Sequence, residues 1–177
     1  MPKIFVISDT WFNRVLNDGP DVDTVDSNDS IIFDWNTVVT PDDTVYVLGG
    51  FGILDLYNIV IQLKGNIHFL NNVFNPDEKM YIENLKESID KSGDIGLQER
   101  IIFEDDQLVV LSDKDVILTY YPLSVWPGKG LDVFCFHGYS DDMNLEEQNI
   151  TSTFSKWGKP IDIDEIKSNI QKFKTLV

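Results

Sequence analysis

Cysteine is nearly absent from this chain, histidine is scarce, and basic residues are outnumbered about two to one. The lone thiol, Cys135, excludes an internal disulfide framework and a cysteine-rich zinc site. Fourteen Lys and Arg stand against 30 Asp and Glu, a formal net charge of -16. Nucleic-acid binders present a basic face to the phosphate backbone, so direct nucleic-acid binding is not expected. A basic protein partner suits the charge better. No apolar run approaches the roughly 18 residues of a transmembrane helix, and no membrane contact is expected. Met1-Pro2-Lys3 leads into five apolar or small residues before Asp9. That is too few for the apolar region of a signal peptide, and a cytoplasmic protein is expected.

A core, by contrast, is well provided for. Apolar residues make up 42% and aromatics 12% of 177 residues, the length of one ordinary domain, taken here as 1–177. The acid load is uneven. Between Arg14 and Lys64 there is no Lys or Arg, while Asp18, Asp21, Asp23, Asp26 and Asp29 crowd the first part of that stretch. A second acidic cluster covers Asp141, Asp142, Glu146 and Glu147. These are read as a solvated face or, more sharply, as an acidic partner-binding surface or a nucleic-acid mimic.

Apolar patterning alternates between two periods. Lys3 to Ser8, Thr44 to Leu48 and Asn66 to Leu70 read as buried strands. Ile31, Ile32, Trp35, Val38 and Val39 repeat at helical spacing behind Ser27 or Asn28 as a cap, and Leu56 to Leu63 makes a shorter helix. Asn75-Pro76 opens a helix with the stripe Met80, Ile82, Leu85 and Ile89. Arg100 to Phe103 and Leu108 to Leu111 flank Glu104-Asp105-Asp106-Gln107, which predicts a hairpin. Val116 to Tyr120 and Val133 to Phe136 are further strands. Asp162 and Glu165 have capping-box spacing ahead of the apolar face Ile166, Ile170 and Phe173. Strand-helix alternation followed by strand pairs predicts an α/β protein with mixed sheets.

In α/β sheets, ligands collect beyond the carboxyl ends of strands. Here those ends carry Asp9-Thr10-Trp11, Gly49-Gly50-Phe51, Asn71-Asn72-Val73-Phe74, Tyr120-Tyr121-Pro122 and His137-Gly138-Tyr139-Ser140-Asp141. At these positions the chain resembles the calcineurin-like metallophosphoesterases, of the short bacterial and phage type. Ile7 to Phe12 is similar to the Asp-x-His region after that family's first strand. Trp35 to Gly49 resembles the approach to its Gly-Asp motif, and Leu63-Lys64-Gly65 with Asn71-Asn72 the approach to Gly-Asn-His-Asp. Leu118 to Leu123 and Phe136 to Asp141 resemble the two later motifs, and Trp157 to Ile166 the C-terminal closure. The resemblance implies a four-layer α/β/β/α sandwich with two mixed sheets.

It also implies a site stripped of its chemistry. Asp9 and Asn72 stand at family ligand positions, and Asp141 is a substitute oxygen ligand. Trp11 occupies a His position, Gly50 that of the metal-bridging Asp, Val73 that of the general-acid His, and Tyr120 and Tyr139 those of later His ligands. Trp cannot ligate a metal, Tyr does so rarely, and Gly has no side chain to offer. No catalytic residue, tight metal or cofactor is expected; a weakly held single divalent cation is the most that these oxygens would support. The aromatics Trp11, Phe51, Phe74, Tyr120 and Tyr139 either pack the former cavity or form a pocket that stacks a nucleobase of a nucleotide. His68, His137 and Cys135 are read as structural. The expectation is an inactive pseudoenzyme that works by binding, encoded by a phage or mobile element to occupy a host protein. The alternatives are a divergent metal-dependent phosphodiesterase or nuclease, and an acidic nucleic-acid mimic.

Overall fold

A computed structural model describes residues 1–13, 28–71, 76–139 and 148–174. The first sheet is built from β1 (Ile4–Ile7), β2 (Thr44–Val47), β3 (Asn66–Phe69), β4 (Ile101–Phe103) and β9 (Ile161–Asp162). Its order is β4-β3-β2-β1-β9, parallel except for β9. The second sheet takes β5 (Leu108–Leu111), β6 (Val116–Thr119), β7 (Phe134–His137) and β8 (Asn149–Thr151) in that order. There β5 and β6 run antiparallel, and β6, β7 and β8 run parallel. The protein is thus α/β with two mixed sheets.

Alternation along each strand explains the layering. Phe5 and Ile7 of β1, Val45 and Val47 of β2 and Ile67 and Phe69 of β3 share one core. They meet α1 (Asn28–Val38), α2 (Leu56–Val60), α3 (Pro76–Ser92) and α4 (Ile95–Arg100) through Trp35, Ile59, Leu85 and Leu97. The opposite residues, Val6, Tyr46 and Leu48, face Val116, Leu118, Phe134 and Phe136 of the second sheet in an inter-sheet core. Two short helices complete the chain, α5 (Phe154–Trp157) and α6 (Ile163–Lys174). The α6 start is capped by Asp162, whose carboxylate accepts the backbone N–H of Asp164 and Glu165 at 3.0 and 3.3 Å. On the outer face of the second sheet, Ile117 and Cys135 pack with Trp126, Leu123 and Val133 of the intervening loop.

The predicted hairpin across residues 104–107 is not formed. β4 adds to the open edge of β3 in the first sheet, with Glu104 N–H donating to Phe69 O at 2.9 Å. β5 belongs to the second sheet, and the hairpin there is β5–β6. Two apolar runs beside an acidic turn give a local signal, but α4 delivers Ile101 parallel to β3, where its side chain is buried. Arg100 fixes that delivery by donating to the carbonyls of Val60 and Gly65 at 2.7 and 3.2 Å. The acidic residues therefore carry the chain from one sheet to the other.

Candidate functional site

The carboxyl ends of β1, β2, β6 and β7 converge because Ser8 ties the sheets together. Ser8 is fully buried; its Oγ donates to Gly138 O at 2.9 Å and accepts from Ser152 Oγ at 3.2 Å. Gly138 permits this approach: a Cβ there would lie 2.9 Å from the Tyr120 ring and 3.1 Å from the Cβ atoms of Leu48 and Ser8.

Beyond Ser8 the backbone is unusual. Asp9, Trp11 and Asn13 all have left-handed φ, of 54°, 48° and 61°, a conformation that non-glycine residues hold only where their surroundings impose it. Here the imposing contacts are backbone hydrogen bonds to the Gly49–Phe51 turn. Asp9 N–H donates to Gly49 O, Trp11 N–H to Gly50 O and Phe12 N–H to Phe51 O, each at 2.9 Å. The turn and the β1 loop thus lie against each other with no intervening space.

That closeness decides what position 50 can carry. Gly50 has φ 64°, and a Cβ built on it would lie 2.1 Å from Asp9 Oδ1 and 2.8 Å from Asp9 Cα. The Asp9 carboxyl therefore fills the place where a bridging side chain would begin. Its Oδ1 is buried and has no hydrogen-bond partner. Burial, followed by repulsion from Glu78, pushes its pKa from the ordinary 3.8 up to about 7. Glu78 comes from the first turn of α3, is 5% exposed, and accepts a long hydrogen bond from Phe51 N–H at 3.4 Å. Among the described residues, no group of three or more His, Cys, Asp and Glu side chains could hold a metal ion. Of the oxygen donors singled out in the sequence, only Asp9 lies among these residues; Asn72 and Asp141 lie outside them.

The second-sheet half of the site is aromatic and neutral. Tyr120 contacts Tyr121 edge-on at 4.8 Å and Tyr139 at 6.0 Å, and Tyr121 and Tyr139 lie 5.2 Å apart. Burial first, then Asp9 and Glu78, raise the Tyr120 pKa. Phe51 does not join this cluster. It is buried in the first core, 5.1 Å from the Phe12 ring and 4.8 Å from Phe69. Trp11 is half-buried beside the turn. Asn72, Phe74 and Asp141 lie outside the described residues, as do Asp18, Asp21, Asp23 and Asp26, whereas Asp29 is exposed on α1.

His137, His68 and Cys135 lie in strands, as buried or half-buried side chains. His137 is 1% exposed, and its Nδ1–H donates to Tyr139 O at 2.9 Å. Burial lowers its pKa to about 4, leaving a neutral ring with an unpartnered Nε2. His68 Nδ1 lies 2.7 Å from Glu104 Oε1, against the Tyr46 ring. Cys135 is buried, and burial pushes its thiol up to about 11, which disfavours the thiolate at neutral pH. Glu78 was not anticipated, since an acidic residue in a first helical turn ordinarily just complements the helix dipole.

No protein-family model and no curated protein matches the chain. Among solved structures, it is similar to the crystal structure of a protein of unknown function, AQ665 from Aquifex aeolicus. The two share 20% identity over 95% of this chain and 99% of that one, with a TM-score of 0.59. The likeness concerns the fold alone. No helix among the described residues is long and apolar enough to cross a membrane.

Proposed function

We propose that this protein is a metallophosphoesterase-like sandwich without a working metal pair, and that it acts by binding a basic protein partner. The observation that carries the reading is the contact between Asp9 and Gly50. With a Cβ at position 50 only 2.1 Å from Asp9 Oδ1, the loop and the turn leave no room for a bridging carboxylate. The remaining carboxyl, with a pKa near 7, holds its proton more tightly than an ordinary Asp, and a cation would have to displace that proton. The charge of -16 supplies the long-range attraction that a basic partner needs.

Calorimetric titration of chelator-treated protein with Mn²⁺ tests this directly. Heat is expected to stay at the dilution level up to millimolar metal, in wild type and Asp9→Ala alike. Tight binding that vanishes in Asp9→Ala would overturn the reading and put a metal-dependent phosphodiesterase in its place.

A further inference from the structure

On the binding reading proposed above, we infer that the cleft between α3 and the carboxyl ends of β2, β3 and β4 is a socket for an arginine side chain of the partner. The cleft has a volume of about 280 Å³. Ligand pockets commonly run from roughly 300 to 1,000 Å³, so this one suits a single long side chain better than a nucleotide.

Its lining matches an aliphatic stem ending in a planar cation. Val47, Phe69, Leu70 and Phe103 give an apolar floor. Phe69 and Phe103 are stacked at 5.5 Å and 16°, which holds the Phe103 ring in a fixed plane. Lys86 Nζ already sits 5.8 Å from that ring's centroid, so the ring face accepts a cation. Around the floor stand the acids Glu78, Glu83, Glu104 and Asp105, against Lys79 and Lys86. The walls thus carry an excess of acid over base, and Glu78 is only 5% exposed. A guanidinium would stack on Phe103 and turn its fork of N–H donors to the carboxyls. Lysine, a point charge without a plane, would use the floor less well.

The test is an amide-resonance titration of the full chain with a blocked Gly-Ala-Arg-Ala-Gly peptide. Matching peptides carry lysine, citrulline or norleucine in place of arginine. The arginine peptide is expected to give saturable shifts at Asn71, Glu104 and Asp105, with citrulline at least tenfold weaker. Glu78→Gln should weaken the arginine peptide about tenfold. Lys86→Ala, an exposed change that removes a competing cation, should tighten it two- to fivefold. Equal binding of the citrulline peptide, absence of shifts at these amides, or weaker binding by Lys86→Ala would each overturn the socket. Agmatine serves as a second arm: saturation by this free small amine with no response to the blocked peptide would overturn the partner side chain as occupant. Asp9 does not line the cleft. Mn²⁺ binding lost in Asp9→Ala would therefore overturn the non-catalytic reading while leaving the socket to stand or fall on its own titration.

Discussion

The two halves of the candidate site meet at Ser8 and solve the same problem in opposite ways. On the first-sheet side, an acid has been kept without its counter-charge. Asp9 is in a left-handed conformation, its Oδ1 has no partner, and Glu78 lies close enough to raise its pKa. On the second-sheet side, the described side chains are neutral. Tyr120, Tyr121 and Tyr139 pack on one another, and His137 is held neutral with its Nδ1–H satisfied. Replacing a charged group by a packed aromatic removes a desolvation cost, whereas keeping a lone buried carboxyl retains it. The first half should therefore lose stability as pH rises, because its acid must ionise, and the second half only as pH falls, because its imidazole must charge.

The largest expected effect comes from placing an acid at position 50. Gly50→Asp would place a Cβ 2.8 Å from Asp9 Cα at a φ of 64° and would add a second carboxyl beside the first. Backbone atoms cannot swing aside as a flexible side chain can. A loss of about 4 kcal/mol or more is expected, read as the shift in the urea midpoint. A stable Gly50→Asp protein would mean that the loop and the turn separate easily and that the two halves do not differ.

The next test sets the halves against each other through pH. Asp9 has a folded pKa of about 7, above its unfolded 3.8. The folded state therefore holds more protons between those values, and stability falls as pH rises from about 4 to 7. His137 has a folded pKa of about 4, below its unfolded 6.5. The unfolded state holds more protons there, and stability falls as pH drops from 6.5 to 4. At full shift the Asp9 slope is worth on the order of 4 kcal/mol and the His137 slope about 3 kcal/mol over their windows, and in wild type they oppose each other between pH 4 and 6.5. Asp9→Asn should uncover the His137 slope and raise stability at pH 8 by about 2 kcal/mol, since Asn tolerates positive φ. His137→Asn keeps an N–H donor for Tyr139 O and should uncover the Asp9 slope. Urea unfolding at pH 4, 5.5, 7 and 8 measures both; slopes unchanged in either variant would remove the electrostatic part of the contrast.

The sequence was informative where one element buries its residues regardless of its neighbours. β1, β2, β6 and β7 are short apolar runs packed on both faces, and such runs announce themselves, while β3 shows by alternation, burying Ile67 and Phe69. The burial of His137 and Cys135 could be read from their places in one such run. The hairpin failed because β4 and β5 look alike locally, and only the open edge of β3 decides which sheet takes each. β9 spans two residues, too few for any period to show. Glu78 and the orphaned Asp9 oxygen were not legible, because both depend on the backbone contact between the β1 loop and Gly49–Phe51, a tertiary fact with no local pattern. Phe51 was misgrouped for a related reason: the turn that places it at a strand end also rotates its ring into the first core.

The smallest expected effect is the one that tests how independent the second half is. Tyr121 is 39% exposed and touches Tyr120 edge-on at 4.8 Å. Tyr121→Leu keeps apolar cover over Tyr120 but loses two ring contacts, each typically worth about 0.5–1.5 kcal/mol when buried and less near solvent. A cost of about 0.5–1 kcal/mol is expected, with no change in the pH profile, because Tyr121 is not among the groups whose charge shifts the Asp9 pKa. The coupling of Tyr120 to Asp9 and Glu78 makes the pH profile the sharper readout. If Tyr121→Leu shifted the pH 4–7 slope, the tyrosine cluster would be acting as part of the barrier that desolvates Asp9. The two halves would then be one electrostatic unit rather than two separate solutions.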